Sequence, residues 1–283
     1  MPRPIRLDYP GAHFHVTSRG NEQRTIFMDE GDRRRFLSLL ATTHDRFDVV
    51  CHAYCLMGNH YHLLVESGSG RFSAALQHIN GSYGRFFNRR HERVGHLFQG
   101  RFKSNLIDTD SYLLEVVRYI ELNPCRAALV ADPAEWAWSS YRSRLGLAPA
   151  PEWLRVEPVM ERFGQTEAGR QAYRDFILAG LENQLIHRKL KGDSIIGSPE
   201  FVAVQADRAR RRSPSQKVPR RQRLADRPAL GAIFEGVADA PDRRRRAVRA
   251  CVGYGYRMTE VAAFLDLHYT TISRWVRAEC DNS

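Results

Sequence analysis

Residues 58–65 read Gly-Asn-His-Tyr-His-Leu-Leu-Val. If this run is a strand, its period of two sends His60 and His62 to one face. Two neighbouring imidazoles can hold one divalent cation, or they can form a structural pair. The same spacing recurs at His13-Phe14-His15, so spacing alone does not choose. Tyr119 and Asn123 are four residues apart and share a face if their segment is helical. Placed over a histidine pair, that face would add an amide oxygen as a third cation ligand and set a phenol beside it. The competing reading is a core tyrosine and a helix-end asparagine ahead of Pro124. A tyrosine hydroxyl titrates near 10, so attack on a phosphodiester needs electrostatic help. A cation with open coordination positions would polarise the phosphate. Imidazole and amide ligands are softer than Mg²⁺ prefers, which favours Mn²⁺ of the two.

Those residues must be positioned by a particular order of elements. Ala12 to Ser18 alternates like a strand and runs into the turn Arg19-Gly20-Asn21. Apolar residues at helical spacing follow from Asp29 towards Arg46. Asp48 to Met57 and His60 to Glu66 read as a hairpin closed by Gly58-Asn59. Ser73 to Asn88 returns to helical periodicity, and Gly100 to Ile107 is a short strand. Thr109-Asp110-Ser111 can cap a helix through Tyr119 to about Leu122, stopped by Pro124. The order strand-helix-strand-strand-helix-strand-helix predicts an α+β fold with a ferredoxin-like antiparallel sheet over residues 1–145. A helical extension is expected over 146–205 and a basic linker over 206–240. Arg208 to Arg223 holds eight basic residues, two prolines and no acid. It suits a solvated spacer or direct phosphate binding. Three short helices are expected in 241–283: Arg243 to Tyr254, Thr259 to Leu265 and Thr270 to Ala278. The last two pack as a helix-turn-helix with Val261, Ala262, Leu265, Leu267, Ile272 and Val276 as a small core.

Composition points to the partner. The chain has 283 residues, 43 % of them hydrophobic, which excludes collagen-like, mucin-like and wholly disordered classes. A net charge of +11 favours a polyanion, with nucleic acid ahead of a membrane surface. No apolar run approaches the roughly 20 residues that span a bilayer. A cytoplasmic, nucleoid-associated protein with no membrane partner is expected. Cys51, Cys55, Cys125, Cys251 and Cys280 lack zinc-site spacing and are expected to be reduced thiols. Along Tyr83, Arg85, Phe86, Phe87, Arg89 and Arg90, aromatics and arginines interleave. That suits stacking on bases and holding phosphates, or else a core helix with solvated arginines. Arg101 and Lys103 alternate on the strand before the tyrosine helix, and with Arg19 they complete the phosphate candidates. A cleft between sheet and helix admits a flexible strand more readily than a stiff duplex. A homodimer is compatible with the sequence.

Gly58-Asn59-His60-Tyr61-His62-Leu63 and Val117-Arg118-Tyr119-Ile120-Glu121-Leu122-Asn123-Pro124-Cys125-Arg126-Ala127 resemble the two signature segments of the REP-associated tyrosine transposases, of the one-tyrosine class of HUH endonucleases. His15-Val16-Thr17-Ser18-Arg19-Gly20-Asn21-Glu22, Ile26-Phe27 and Trp138-Ser139-Ser140-Tyr141 are similar to the same family in the same order. The resemblance implies that His60 and His62 are metal ligands, Asn123 the third ligand and Tyr119 the nucleophile, with Mg²⁺ or Mn²⁺ as cofactor. It also implies a 5′-phosphotyrosine link, a released 3′ hydroxyl, and single-stranded or hairpin DNA from short imperfect palindromes. Related transposases carry glutamine at the position of Asn123 and valine at that of Cys125. Residues 258–276 resemble the duplex-binding end of bacterial replication initiators. Tyr269, Thr270, Thr271, Ser273 and Arg274 would then open a recognition helix. A regulator of repeat DNA with a decayed site is the alternative. A metal phosphodiesterase using water ranks lower, because it would need more carboxylates and leave Tyr119 without a role.

Overall fold

The computed structural model describes residues 7–181, 185–212, 228–237, 239–252 and 254–280. Residues 213–227 and 238 of the expected basic linker, 206–240, lie outside the described residues, while 206–212 and 230–234 are helical. The described residues fall into two compact units, within Arg6–Ser198 and within Pro199–Ser283.

The first unit is built on a five-stranded sheet of order β2-β3-β1-β4-β5, formed by β1 (Ala12–Arg19), β2 (Val49–Leu56), β3 (His60–Ser67), β4 (Lys103–Ile107) and β5 (Ile195–Ile196). β1 to β4 pair antiparallel, in the ferredoxin-like order expected. The fifth strand makes the sheet mixed rather than wholly antiparallel, because β5 pairs parallel to β4. A long crossover through helices separates these two strands, and that is the connection a parallel pair requires.

Alternation along β1 explains the two layers. Phe14 and Val16 face one side, where Phe14 stacks on Phe72 at 4.1 Å between ring centroids. That side is covered by α1 (Glu30–Phe47) and α2 (Phe72–Arg90). α1 starts where the Asp29 side chain accepts from Asp32 N, and ends at Asp48 in the left-handed region. Its buried Phe36, Leu39, Leu40, Thr43 and Phe47 recur at helical spacing.

The other side carries α3 (Thr109–Glu121) and the short α4 (Asn123–Arg126). Asp108, rather than a residue of the Thr109–Ser111 run, precedes α3. Its carboxylate accepts from the Ser198 backbone and leaves the first turn uncapped by a side chain. The turns α5 (Tyr141–Arg144) and α6 (Glu157–Met160), with α7 (Glu167–Leu178) and α8 (Leu185–Gly192), close over this layer. One apolar cluster there joins Leu64, Val116, Val117, Ile120, Tyr141, Val159, Tyr173, Ile177 and Ile196. Residues 146–198, expected as a helical extension, thus share a core with the sheet. The outer edge of β2 is blunted by backbone bonds from Leu56 N to Trp138 O, Ser140 N to Tyr54 O and Arg155 N to Cys51 O.

The second unit contains α9 (Pro199–Arg212), α10 (Leu230–Phe234), α11 (Ala240–Val252), α12 (Met258–Phe264) and α13 (Tyr269–Cys280). Val261, Ala262, Ile272 and Val276 are buried with Ile233, Ala247, Val248 and Ala250, while Leu265 and Leu267 pack partly buried against them. Tyr269, Thr270 and Arg274 are exposed at the start of α13, and Thr271 and Ser273 are half-buried. Among the described residues, no helix is long and apolar enough to cross a membrane. Cys51 and Cys55 are buried thiols, and Cys125 and Cys251 are half-buried thiols.

Candidate active site

Strand alternation on β3 places His60, His62, Leu64 and Glu66 on the α3 face of the sheet, and on β1 it places His13, His15 and Thr17 there. His60 and His62 come together with ring centroids 5.0 Å apart. Tyr119, in the last turn of α3, meets His62 edge-on at 5.4 Å and His15 edge-on at 5.7 Å. Asn123 opens α4 one turn later, and its Nδ2 donates to the Tyr119 carbonyl at 2.7 Å. The phenol, the amide and the histidine pair singled out in the sequence therefore sit at one place, joined by His15.

The hydrogen-bond network decides which nitrogen of each ring carries its proton. Asn105 Nδ2 donates to the carbonyls of Leu190 and Asp193, so its amide orientation is forced and Oδ1 turns to His15 Nδ1 at 3.2 Å. His15 Nδ1 must then donate, and Nε2 keeps the lone pair. Burial holds the His15 pKa down to about 4, so the ring is neutral at pH 7. His62 Nδ1, 3.0 Å away, donates to that lone pair. A parallel chain acts on His60. Asn59 Nδ2 donates to Gln23 O at 3.0 Å, so Asn59 Oδ1 accepts from His60 Nδ1 at 2.7 Å. Burial, with help from the Arg19 charge, lowers His60 to about 4. Nδ1 of both rings is thus committed to an acceptor, Asn59 for His60 and His15 for His62, so a cation would be met through Nε2.

Tyr119 is only 7 % exposed. Burial raises its pKa, while the charge of Arg126, a hydrogen bond from Asn123 and the charge of Arg19 pull it back. The Arg126 guanidinium lies 5.5 Å from the Tyr119 ring centroid. Arg19 stands directly across from His60 in the β1–β3 register. Lys103 pairs with Thr17, which also pairs with His62, so an exposed lysine stands two strands over on the same face.

A buried ion pair anchors the tyrosine helix. Glu121 and Arg144 are both fully buried and paired. Glu121 also accepts from Ser140 Oγ at 2.6 Å and from the Tyr173 hydroxyl, and Arg144 donates to His52 O. The Trp138–Tyr141 segment thus covers the β2 edge and ties α3 through Ser140.

The remaining phosphate candidates lie elsewhere. α2 packs on the opposite face from Tyr119. Its Arg85 and Arg89 are exposed, whereas Tyr83 and Phe87 are core and Phe86 is half-buried. Arg90 is committed to Asp29 at 2.7 Å and to the buried Asp32 at 2.6 Å. Arg101 is exposed just before β4. Sequence reasoning missed His15 and Asn105 as positioning residues and Arg126 as a neighbour of Tyr119. Carrying the Arg101, Lys103 alternation one step further reaches Asn105. Arg126 lies seven residues from Tyr119, which is two helical turns on the same side. His15 had no such signal, since its partner is set by strand register.

The family described as "Transposase IS200 like" matches residues 9–123. No curated protein matches the chain. A solved structure titled "Structure of the REP associates tyrosine transposase bound to a REP hairpin" is similar, with 19% identity, a TM-score of 0.44, and coverage of 55% of this chain and 94% of that one. His15, His60, His62, Asn105, Tyr119 and Asn123 all fall within the segment that matches this IS200-like transposase family.

Proposed function

We propose that this chain is a single-stranded DNA endonuclease and strand transferase that acts on hairpin-forming repeat DNA through a 5′-phosphotyrosine intermediate at Tyr119. The observation that carries the reading is the pair of imidazoles, His60 and His62, each with Nδ1 committed to an acceptor and with the His62 ring edge-on to Tyr119. A structural histidine pair has no need of two outer amides that fix the same tautomer.

The donor set fits a divalent cation: the Nε2 atoms of His60 and His62, with Asn123 Oδ1 as third ligand, since Asn123 Nδ2 is occupied by the Tyr119 carbonyl. Mg²⁺ or Mn²⁺ held there would polarise the scissile phosphate and stabilise charge in the transition state. The chain's own residues do the rest. The Tyr119 oxygen attacks phosphorus, the DNA 3′ oxygen leaves as a hydroxyl after taking up a proton, and the 5′ phosphate stays on the tyrosine. Arg126 and Arg19 favour the phenolate that must form, against the burial that opposes it. Arg19 and Lys103 flank the site as phosphate contacts. Arg101, exposed just before β4, is a further phosphate contact, whereas Arg85 and Arg89 on α2 lie on the opposite face of the sheet. A second 3′ hydroxyl attacking the phosphotyrosine reverses the step, so the bond energy is conserved without ATP.

A site set between a sheet and a helix admits a flexible strand more readily than a stiff duplex. The resemblance to REP-associated transposases adds the hairpin. For the second unit we read α12 and α13 as a helix-turn-helix that binds duplex DNA through Tyr269, Thr270, Thr271, Ser273 and Arg274. The domain assignment is a nuclease domain over 1–145, a helical extension over 146–205, a basic linker over 206–240 and a duplex-binding domain over 241–283. A regulator that binds repeats without cutting is the second reading, and the burial of Tyr119 favours it.

The test incubates the protein and Tyr119→Phe with labelled single-stranded hairpins and Mn²⁺ or Mg²⁺, then resolves them on a denaturing gel. A covalent protein–DNA band in the unsubstituted chain, absent from Tyr119→Phe, is expected. Binding without a covalent band moves the assignment to the regulator. Cleavage that survives in Tyr119→Phe makes water the nucleophile.

A further inference from the structure

His13 does not join the site that His15 serves. It stands directly across from Glu66 in the β1–β3 register, and its Nε2 lies 3.6 Å from the Glu66 Oε2. β2 supplies a third group through an irregularity. The pairing of β2 with β3 slips between Cys51 and Ala53, so His52 is an extra residue in a bulge. In a regular strand His52 and Ala53 would face opposite sides. Here Ala53 packs beneath α3 while His52 Nε2 donates to Glu66 Oε2 at 3.1 Å, so both face the same way. Re-aiming one side chain is the usual consequence of a bulge. A cation taking the place of that donated proton would move it to the buried His52 Nδ1, which has no hydrogen-bond partner among the described residues.

The three ligand atoms of His13, His52 and Glu66 lie within 4.8 Å of one another. Ligands at 2.0–2.1 Å around a tetrahedral ion are about 3.4 Å apart, close to the 3.1 and 3.6 Å seen here. The His13 tautomer is also set. Nδ1 lies 3.0 Å from the Gly11 carbonyl, which can only accept, so the proton is on Nδ1 and the lone pair on Nε2. That lone pair faces a carboxylate oxygen, an arrangement that is repulsive until a cation stands between them. A backbone carbonyl behind one imidazole nitrogen is a common outer shell of a metal-bound histidine. The cluster opens on a pocket of about 420 Å³, also lined by Leu113, Arg155, Glu161 and Arg162, with room for a water or an anion at the remaining positions.

We propose that His13, His52 and Glu66 form a second divalent-cation site, suited to a transition-metal ion of the zinc class, on the same sheet face as His60 and His62 but at its other end. Two imidazoles and one carboxylate suit a borderline ion better than Mg²⁺ or Ca²⁺. The separation along β3, four residues from His62 to Glu66, is about 13 Å, too far for one ion to serve both sets. The site would pin the ends of β1, β2 and β3 under the first turns of α3, whose last turn holds Tyr119. Arg155 approaches Glu66 at 3.5 Å and is half-exposed, so it is the group an incoming ion would displace into water.

The test titrates Co²⁺ into the full-length chain carrying His60→Ala and His62→Ala, reading visible d–d absorption. One bound equivalent is expected, lost or weakened at least tenfold when Glu66→Gln or His13→Gln is added. No binding in the double-alanine background overturns the proposal, as does binding unaltered by both further changes. If a variant fails to fold, crystals of the unsubstituted chain soaked in Zn²⁺ decide. An anomalous peak bonded to His13, His52 and Glu66 supports the site, and its absence there means an ordinary histidine–carboxylate–arginine cluster. None of these readings depends on DNA cleavage, so the site stands or falls independently of the proposed nuclease.

Discussion

Replacing His15 by alanine tests the tautomer chain directly. In the native arrangement Asn105 orients His15, and His15 accepts the Nδ1 proton of His62 at 3.0 Å. Without that acceptor the His62 Nδ1–H is stranded in a buried position, at a cost of about 1–3 kcal/mol. The ring can relieve that cost by moving its proton to Nε2, which removes the lone pair a cation needs. Loss of an outer-shell partner typically weakens metal affinity by about 10–100-fold, or about 1.4–2.7 kcal/mol. The two figures agree because they describe the same proton. Titrating Mn²⁺ against covalent adduct yield on a fixed hairpin should show the half-saturating Mn²⁺ rising by about that factor in His15→Ala. Yield at saturating Mn²⁺ should recover towards the native level, since the Tyr119 phenol itself is retained although its ring loses the edge contact with His15. Asn105→Ala should shift the curve in the same direction, because His15 loses the bond that fixes its own proton. An unchanged Mn²⁺ requirement in His15→Ala, with the fold intact by circular dichroism, would refute the role given to the relay.

Four further outcomes follow from the same geometry. Glu121→Gln leaves the buried Arg144 guanidinium without its carboxylate, which should cost about 3–5 kcal/mol and lower the melting temperature by roughly 6–20 °C; a calorimetric shift under 2 °C would contradict it. His15 is neutral when folded, with a pKa of about 4, but protonates near 6.5 when unfolded. Its contribution is therefore fully present above pH 6.5 and is lost as pH falls towards 4, by about 3 kcal/mol in all; urea unfolding at several pH values should show this slope in the native chain and a flatter one in His15→Gln. Lys103→Ala should reduce the salt dependence of single-strand binding by about 0.7 in log–log slope. Arg90→Ala should leave that slope unchanged and instead lower the melting temperature, because its guanidinium is held by Asp29 and Asp32.

The local patterns carried most of what periodicity can carry. The period of β3 put His60 and His62 on one face, and helical spacing put Tyr119 and Asn123 on another, so the groups that face each other were legible before any packing was known. The order of the first seven elements was legible for the same reason, since each depends on neighbours within about a turn or a strand. What sequence left open was every relation between strands. His13-Phe14-His15 has the same spacing as His60-Tyr61-His62, yet β1–β3 register gives His15 to His62 and His13 to Glu66, and no property of residues 13–15 contains that choice. The bulge that turns His52 inward, the parallel β5 and the burial of Glu121 against Arg144 are likewise products of long-range pairing. Arg85 and Arg89 illustrate the converse: their interleaved composition is local, but the face of the sheet on which α2 lies is not. A one-residue difference in register exchanges the faces of a whole strand, so the chemistry of each histidine was written in the sequence and its partner was decided only in the folded sheet.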